Sequence, residues 1–205
     1  MGIMDYNGGS VIAMAGKDAV VIGSDTRLGV QMQTIQTDKQ KVYPITETLY
    51  VGLAGLGTDA ATVVDTIRFR AKIYSLKEGK PLSPKLLTTM LSNYLYEKRF
   101  GPYFTEPIVA GIDPDTGKPE VYSMDLIGCI TSPRDFVCVG SEEDTMMGMC
   151  ESVWKPDMDS ETLFEATSQA FLSALERVTI SGWGAVMVTI TSKAVTHTQI
   201  QARLD

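Results

Sequence analysis

Apolar positions along the chain change period more than once, from the two-residue spacing of strands to the three-to-four-residue spacing of helices and back. Runs rich in Val, Ile and Thr at about 9–14, 19–25, 41–45 and 48–54, punctuated by Gly or Asp, predict four strands. Two helices follow. Thr58 or Asp59 can cap the first, which carries Ala60, Val63, Val64, Ile67, Ala71 and Tyr74 at helical spacing and closes near Glu78-Gly79. The second has Ser83 as N-cap and Pro84 at its first position, then Leu86, Leu87, Met90, Leu91, Tyr94 and Leu95 on one face. Lys98 and Arg99 suit its C-terminal dipole before Gly101-Pro102 stops it.

The second half repeats this order. Strands are predicted at about 107–113, 119–124, 128–131 and 135–139, then a short helix from Ser141, where Ser141 and Asp144 have capping-box spacing. A longer helix spans about 160–176, and strands at about 183–191 and 194–202 finish the chain. Strands in runs and helices in runs imply an α+β fold with two antiparallel sheets stacked face to face and helices outside.

Composition narrows the class. A chain of 205 residues suits one domain, 1–205, able to bury roughly 70% of its unfolded surface. Lys and Arg number 18 against 25 Asp and Glu, a net charge of −7. With no basic stripe along any helix, nucleic acid and anionic membranes are excluded as expected partners. The apolar runs are strand-sized, short of the ~18 residues of a membrane span. The polar start, Met1 to Asn7, lacks the apolar centre of a signal peptide, so the expected location is cytoplasm and nucleus. Cys129, Cys138 and Cys150 have neither metal nor redox spacing and are expected as reduced thiols, the last two buried.

The chemistry centres on Gly9. Gly8-Gly9-Ser10-Val11-Ile12-Ala13-Met14 and Ala19 to Arg27 read as a hairpin leading to Asp25, sixteen residues beyond Gly9. Lys41 stands thirty-two residues beyond it. Leu53-Ala54-Gly55-Leu56-Gly57-Thr58-Asp59 and Arg177-Val178-Thr179-Ile180-Ser181-Gly182 follow in order. Together these resemble the beta subunits of the 20S proteasome, N-terminal nucleophile hydrolases whose active members open with a threonine at the position of Gly9. Tyr96 to Pro107, Asp125-Leu126-Ile127-Gly128-Cys129 and Gly148 to Ser152 narrow the resemblance to the eukaryotic type 3 class, across essentially the whole chain.

The resemblance implies a four-layer αββα sandwich and a non-catalytic role in ubiquitin-dependent protein degradation. It implies contacts with beta subunits of the same and the opposite ring and with alpha-ring subunits. Residues 1–8 would remain as a short N-terminal extension. No cofactor is required. Asp125 and Cys129 would line the substrate pocket of a neighbouring subunit. Asp205, with side-chain and terminal carboxylates, would offer hard oxygen ligands to a structural magnesium at a subunit interface.

This type of proteolysis needs a residue that is both hydroxylic and N-terminal, and Gly9 is neither. The competing reading is an active amidohydrolase using Ser10, but strand alternation turns Ser10 to the opposite face from position 9. Asp25 and Lys41 are expected as a buried ion pair, and Gly55 as the carrier of an oxyanion-facing N–H. Val178 stands where active relatives have an aspartate, and Glu142 replaces a glycine after Gly140-Ser141. His197 has no catalytic or metal partner at a meaningful spacing. Met146, Met147 and Met149 serve packing or a neighbouring subunit.

Overall fold

The computed structural model describes residues 2–176 and 178–202. After a short 3-10 turn at Ile3–Asp5, the chain forms β1 (Ser10–Ala15), β2 (Ala19–Asp25), β3 (Leu28–Val30), β4 (Gln33–Gln36), β5 (Val42–Thr46) and β6 (Leu49–Gly55). Helices α1 (Gly57–Glu78) and α2 (Pro84–Tyr96) precede β7 (Thr105–Ile112), β8 (Pro119–Met124), β9 (Ile130–Thr131) and β10 (Phe136–Gly140). Then come α3 (Glu143–Val153), α4 (Ser160–Leu175), β11 (Ala185–Thr191) and β12 (Val195–Ile200).

Two five-stranded antiparallel sheets, ordered β10-β1-β2-β11-β12 and β5-β6-β7-β8-β9, form the centre. Strand β1 shows why they stack. All six of its residues are buried, because period-2 alternation sends each set of side chains into a different apolar layer. Ile12 and Met14 pack with Leu163 and Phe171 of α4. Val11 and Ala13 meet Ile108 and Ala110 between the sheets. On the far side, Val51 and Leu53 of β6 face Val63 and Ile67 of α1 and Leu91 of α2. Three apolar layers between four layers of backbone make the αββα sandwich expected from the sequence.

Several local expectations are corrected. Helix α1 begins at Gly57 with Leu56 as N-cap; Thr58 and Asp59 lie inside it, and Asp59 instead accepts the Phe104 N–H at 2.9 Å. Ser141 caps nothing, since α3 starts at Glu143 from Glu142 without a side-chain cap. Helix α2 ends at Tyr96, leaving Lys98 and Arg99 in the turns beyond. Its start is as read, with Ser83 Oγ accepting the Leu86 N–H at 3.3 Å. Strand β9 is confined to two residues, because the Gly128 turn before it folds back on α2, where Ser92 Oγ donates to the Gly128 carbonyl at 2.6 Å. The β3–β4 hairpin lies in a stretch, 26–40, to which the periodicity assigned nothing.

Candidate functional site

The site lies where β1 begins. Gly8 and Gly9 have φ of 67° and 118°, conformations that favour glycine. A Cβ on Gly8 would fall 2.2 Å from the Ile180 carbonyl oxygen, and one on Gly9 would fall 2.6 Å from Lys41 Nζ. Position 9 therefore points at Lys41, and the ammonium fills the space a side chain would need. Ser10 points elsewhere: its Oγ is buried without a hydrogen-bond partner among the described residues, while its N–H donates to Asp25 Oδ1 at 3.0 Å.

Asp25 closes β2 and is completely buried. Its Oδ1 accepts from Lys41 Nζ at 2.6 Å and its Oδ2 from the Gly182 N–H at 3.2 Å. Burial pushes the Lys41 ammonium below its ordinary pKa, and the charge of Asp25 opposes that shift. The ion pair expected from the sequence is formed, and with one backbone donor on each carboxylate oxygen, Ser10 N–H on Oδ1 and Gly182 N–H on Oδ2, it is well satisfied.

The two residues after Asp25 hold the same loop. Thr26 Oγ1 donates to the Trp183 carbonyl at 3.3 Å, and Arg27 Nη1 to the Ile180 carbonyl at 2.7 Å. Arg27 is fully buried and also bonds the Gln31 carbonyl and Thr34 Oγ1, so it joins the bracing loop to the β3–β4 hairpin. Sequence reasoning gave Arg27 no role of its own; the available signal was a permanent charge directly after an apolar strand, which requires partners if buried.

Glu142 contributes a further carboxyl. It is buried, and burial raises its pKa to about 7, with the Ser181 hydroxyl opposing and the charges of Asp25 and Asp5 adding to the rise. Ser141 N–H donates to the Gly9 carbonyl at 3.1 Å, so Glu142 is anchored next to the strand start. Val178 offers no carboxylate to the same loop.

The chain's own start covers the site. Gln31 N–H donates to the Tyr6 carbonyl at 2.8 Å and Gly29 N–H to the Asn7 carbonyl at 3.4 Å. The Asn7 side chain donates to the Gly29 carbonyl at 2.9 Å and accepts the Gly57 N–H at 2.9 Å. Met4 Cε lies 3.0 Å from where a Gly55 Cβ would stand. Strand edge and helix N-terminus, which could receive an extended peptide, are thus taken by residues 6 and 7. The space left between Asn7, Lys41, Tyr43 and Gly55 is about 20 Å³, room for about one water.

Other candidate residues are scattered. Asp125 and Cys129 are exposed in the turn before β9, where Asp125 Oδ1 accepts the Ile127 and Cys129 N–H groups at 3.0 and 2.8 Å. Cys138 and Cys150 are buried free thiols with sulfurs 3.8 Å apart. His197 Nε2 lies 3.2 Å from the Tyr50 hydroxyl, a contact between the two sheets that spacing could not reveal. Met146 is buried in the layer under α3 and Met147 is exposed. Asp205 lies outside the described residues. Among those described, no group of three His, Cys, Asp or Glu side chains is arranged to hold a metal, and position 178 carries an apolar valine. No described helix is long and apolar enough to cross a membrane.

Comparison with known proteins agrees with this geometry. The model of the proteasome subunit family matches residues 5–190. Proteasome subunit beta type-3 of Caenorhabditis elegans is 52% identical over 205 residues, all of both chains. The Drosophila melanogaster and Picea mariana proteins of the same name are 46% and 44% identical, again over the full length of both chains. With its sandwich, its Asp25–Lys41 pair and its end-to-end similarity to these relatives, the chain belongs to the proteasome subunit family.

Proposed function

We propose that this chain is a structural, non-catalytic beta subunit of the 20S proteasome core, of the type 3 class. It occupies one position of a seven-membered beta ring and helps to enclose the chamber in which other subunits cut proteins. The observation that carries the reading is the strand start: position 9 has no hydroxyl, and Lys41 fills the space beside it. Full-length similarity to proteins named beta type-3 supports the same assignment. The Ser10 amidohydrolase is disfavoured, because Ser10 is inaccessible to solvent and residues 6 and 7 lie across the cleft.

Partners follow from this reading: beta subunits of the same and opposite rings and subunits of the alpha ring, in cytoplasm and nucleus. The exposed turn bearing Asp125 and Cys129 would face a neighbour's substrate pocket, where a carboxylate favours basic substrate side chains. Asp205 would lend oxygen ligands to a magnesium held between subunits. Native mass measurement of the complex purified through this chain tests the proposal. Heptameric rings of non-identical subunits are expected; a stable monomer, or a covalent adduct on residue 9 or 10 after treatment with an electrophile that captures terminal threonines, would refute it.

A further inference from the structure

The end of the sandwich away from Gly9 carries a second cleft. Ala15, the last residue of β1, lines it, which puts it roughly 17 Å of strand away from the start of β1. Its volume is about 690 Å³, within the range of about 300–1,000 Å³ usual for ligand clefts. Lys85, Lys118 and Arg134 stand around it, all exposed. Among the described residues the ion pairs within 4.0 Å are Lys41–Asp25 and Arg70–Glu97, so these three cations have no carboxylate partner. Nearby acids are engaged in their own turns and strands. Glu120 accepts the Tyr122 hydroxyl at 2.9 Å, and Asp113 Oδ1 accepts the Asp115 and Thr116 N–H groups. The cleft lining thus carries three cations against one carboxylate, Glu120, on a chain of net charge −7.

A second feature of the same place concerns the backbone. Strand β8 pairs with β7 from Pro119 to Ser123. On its other side β9 pairs only with Ser123 and Met124. The outer edge of β8 from Pro119 to Tyr122 has no strand partner among the described residues, and these four residues form one wall of the cleft. Such an edge can add one more strand. Pro119 and the two-residue β9 limit it to a short one.

We propose that the open edge of β8, together with Lys85, Lys118 and Arg134, is a docking groove for a short, extended, Asp/Glu-rich segment of a partner protein. Backbone pairing to β8 supplies the register, and the three cations select acidic side chains on the strand that is added. Lys85 adds to this from the first turn of α2, where the helix dipole is also positive. A nucleic acid fits less well: it would use the charges but leave the strand edge unpaired.

The test uses the complex that the full chain forms in cells, isolated with the natural subunit or with Lys85→Glu/Lys118→Glu/Arg134→Glu. Fluorescence anisotropy at low salt follows a labelled Glu-Val-Glu-Val-Glu-Val peptide, its Gln-Val counterpart and a single-stranded oligonucleotide. The acidic peptide is expected to bind the natural complex at least tenfold more tightly than the variant, and the Gln-Val peptide to show no such difference. Equal affinity for both complexes, or a larger difference for the oligonucleotide, overturns the proposal. Should the triple variant not assemble, Lys118→Gln/Arg134→Gln is expected to weaken binding in the same direction. Hydrogen exchange of the natural complex gives an independent readout: slowed exchange at Glu120–Tyr122 on peptide addition supports the groove, and unchanged exchange there overturns it.

Discussion

Gly9 and Lys41 compete for one volume: a Cβ at position 9 would stand 2.6 Å from the lysine Nζ. Lys41 cannot simply swing away, because its ammonium is tied to Asp25 at 2.6 Å in a buried pair. The missing hydroxyl is thus built into the packing of the site and is not a single lost side chain.

Restoring the threonine alone should therefore fail. Gly9→Thr forces a β-branched residue to φ near 118°, a strain of about 1–3 kcal/mol, and displaces the ammonium. The expected outcome is a lower unfolding temperature of the complex and no labelling of residue 9 by a threonine-directed electrophile. Efficient labelling would show that the scaffold retains a working site.

Lys41→Met leaves Asp25 charged and buried, with only the N–H groups of Ser10 and Gly182 to satisfy it. A loss of about 3 kcal/mol is expected, and Asp25→Asn/Lys41→Met should cost less than the two single changes summed. A double-mutant cycle from denaturant unfolding measures this coupling; strict additivity would show that the pair is not a unit.

Glu142 links stability to pH. Its carboxyl titrates near 7 in the folded chain, above its ordinary 4.5, so the folded state holds the proton more tightly. That contribution is complete below about pH 4.5 and is lost as pH rises through 7, by about 2–3 kcal/mol. Glu142→Gln should flatten the unfolding temperature between pH 5 and 8 (on the order of that window) and raise it at the alkaline end. A curve of unchanged shape would remove Glu142 as its source.

Asn7 is expected to hold the cover over the site. Asn7→Ala removes the acceptor for the Gly57 N–H and the donor to the Gly29 carbonyl. A cost of about 1 kcal/mol is expected, with faster hydrogen exchange at Gly29, Gln31 and Gly57. Unaltered exchange would mean that the main-chain contacts of Tyr6 suffice.

Thiol reactivity follows burial. Cys129 is exposed, whereas Cys138 and Cys150 are buried side by side, and the contact with Cys150, followed by burial, pushes the Cys138 thiol up. Brief alkylation of the native complex should modify this chain at Cys129 alone, as read by peptide mass; equal labelling of all three cysteines would show that the α3 layer opens readily.

By itself the sequence determined the layer order and the absent hydroxyl. Strands such as β1 announce burial on both faces through unbroken apolar runs, and a glycine at position 9 has no oxygen whatever surrounds it. Asp25 and Lys41 were legible through the resemblance, whose members carry both at these spacings from the position of Gly9. Tertiary structure decided what spacing cannot encode. Asn7 caps α1 from fifty residues away, displacing the local candidates Thr58 and Asp59, because a helix N–H takes whichever acceptor the fold brings near. Arg27 holds the loop at Ile180, and His197 meets Tyr50 across the sheets. Glu142 reads in the sequence only as the replacement of a glycine after Gly140-Ser141, yet packing in the fold makes it a buried acid, since desolvation depends on what surrounds a carboxyl in three dimensions.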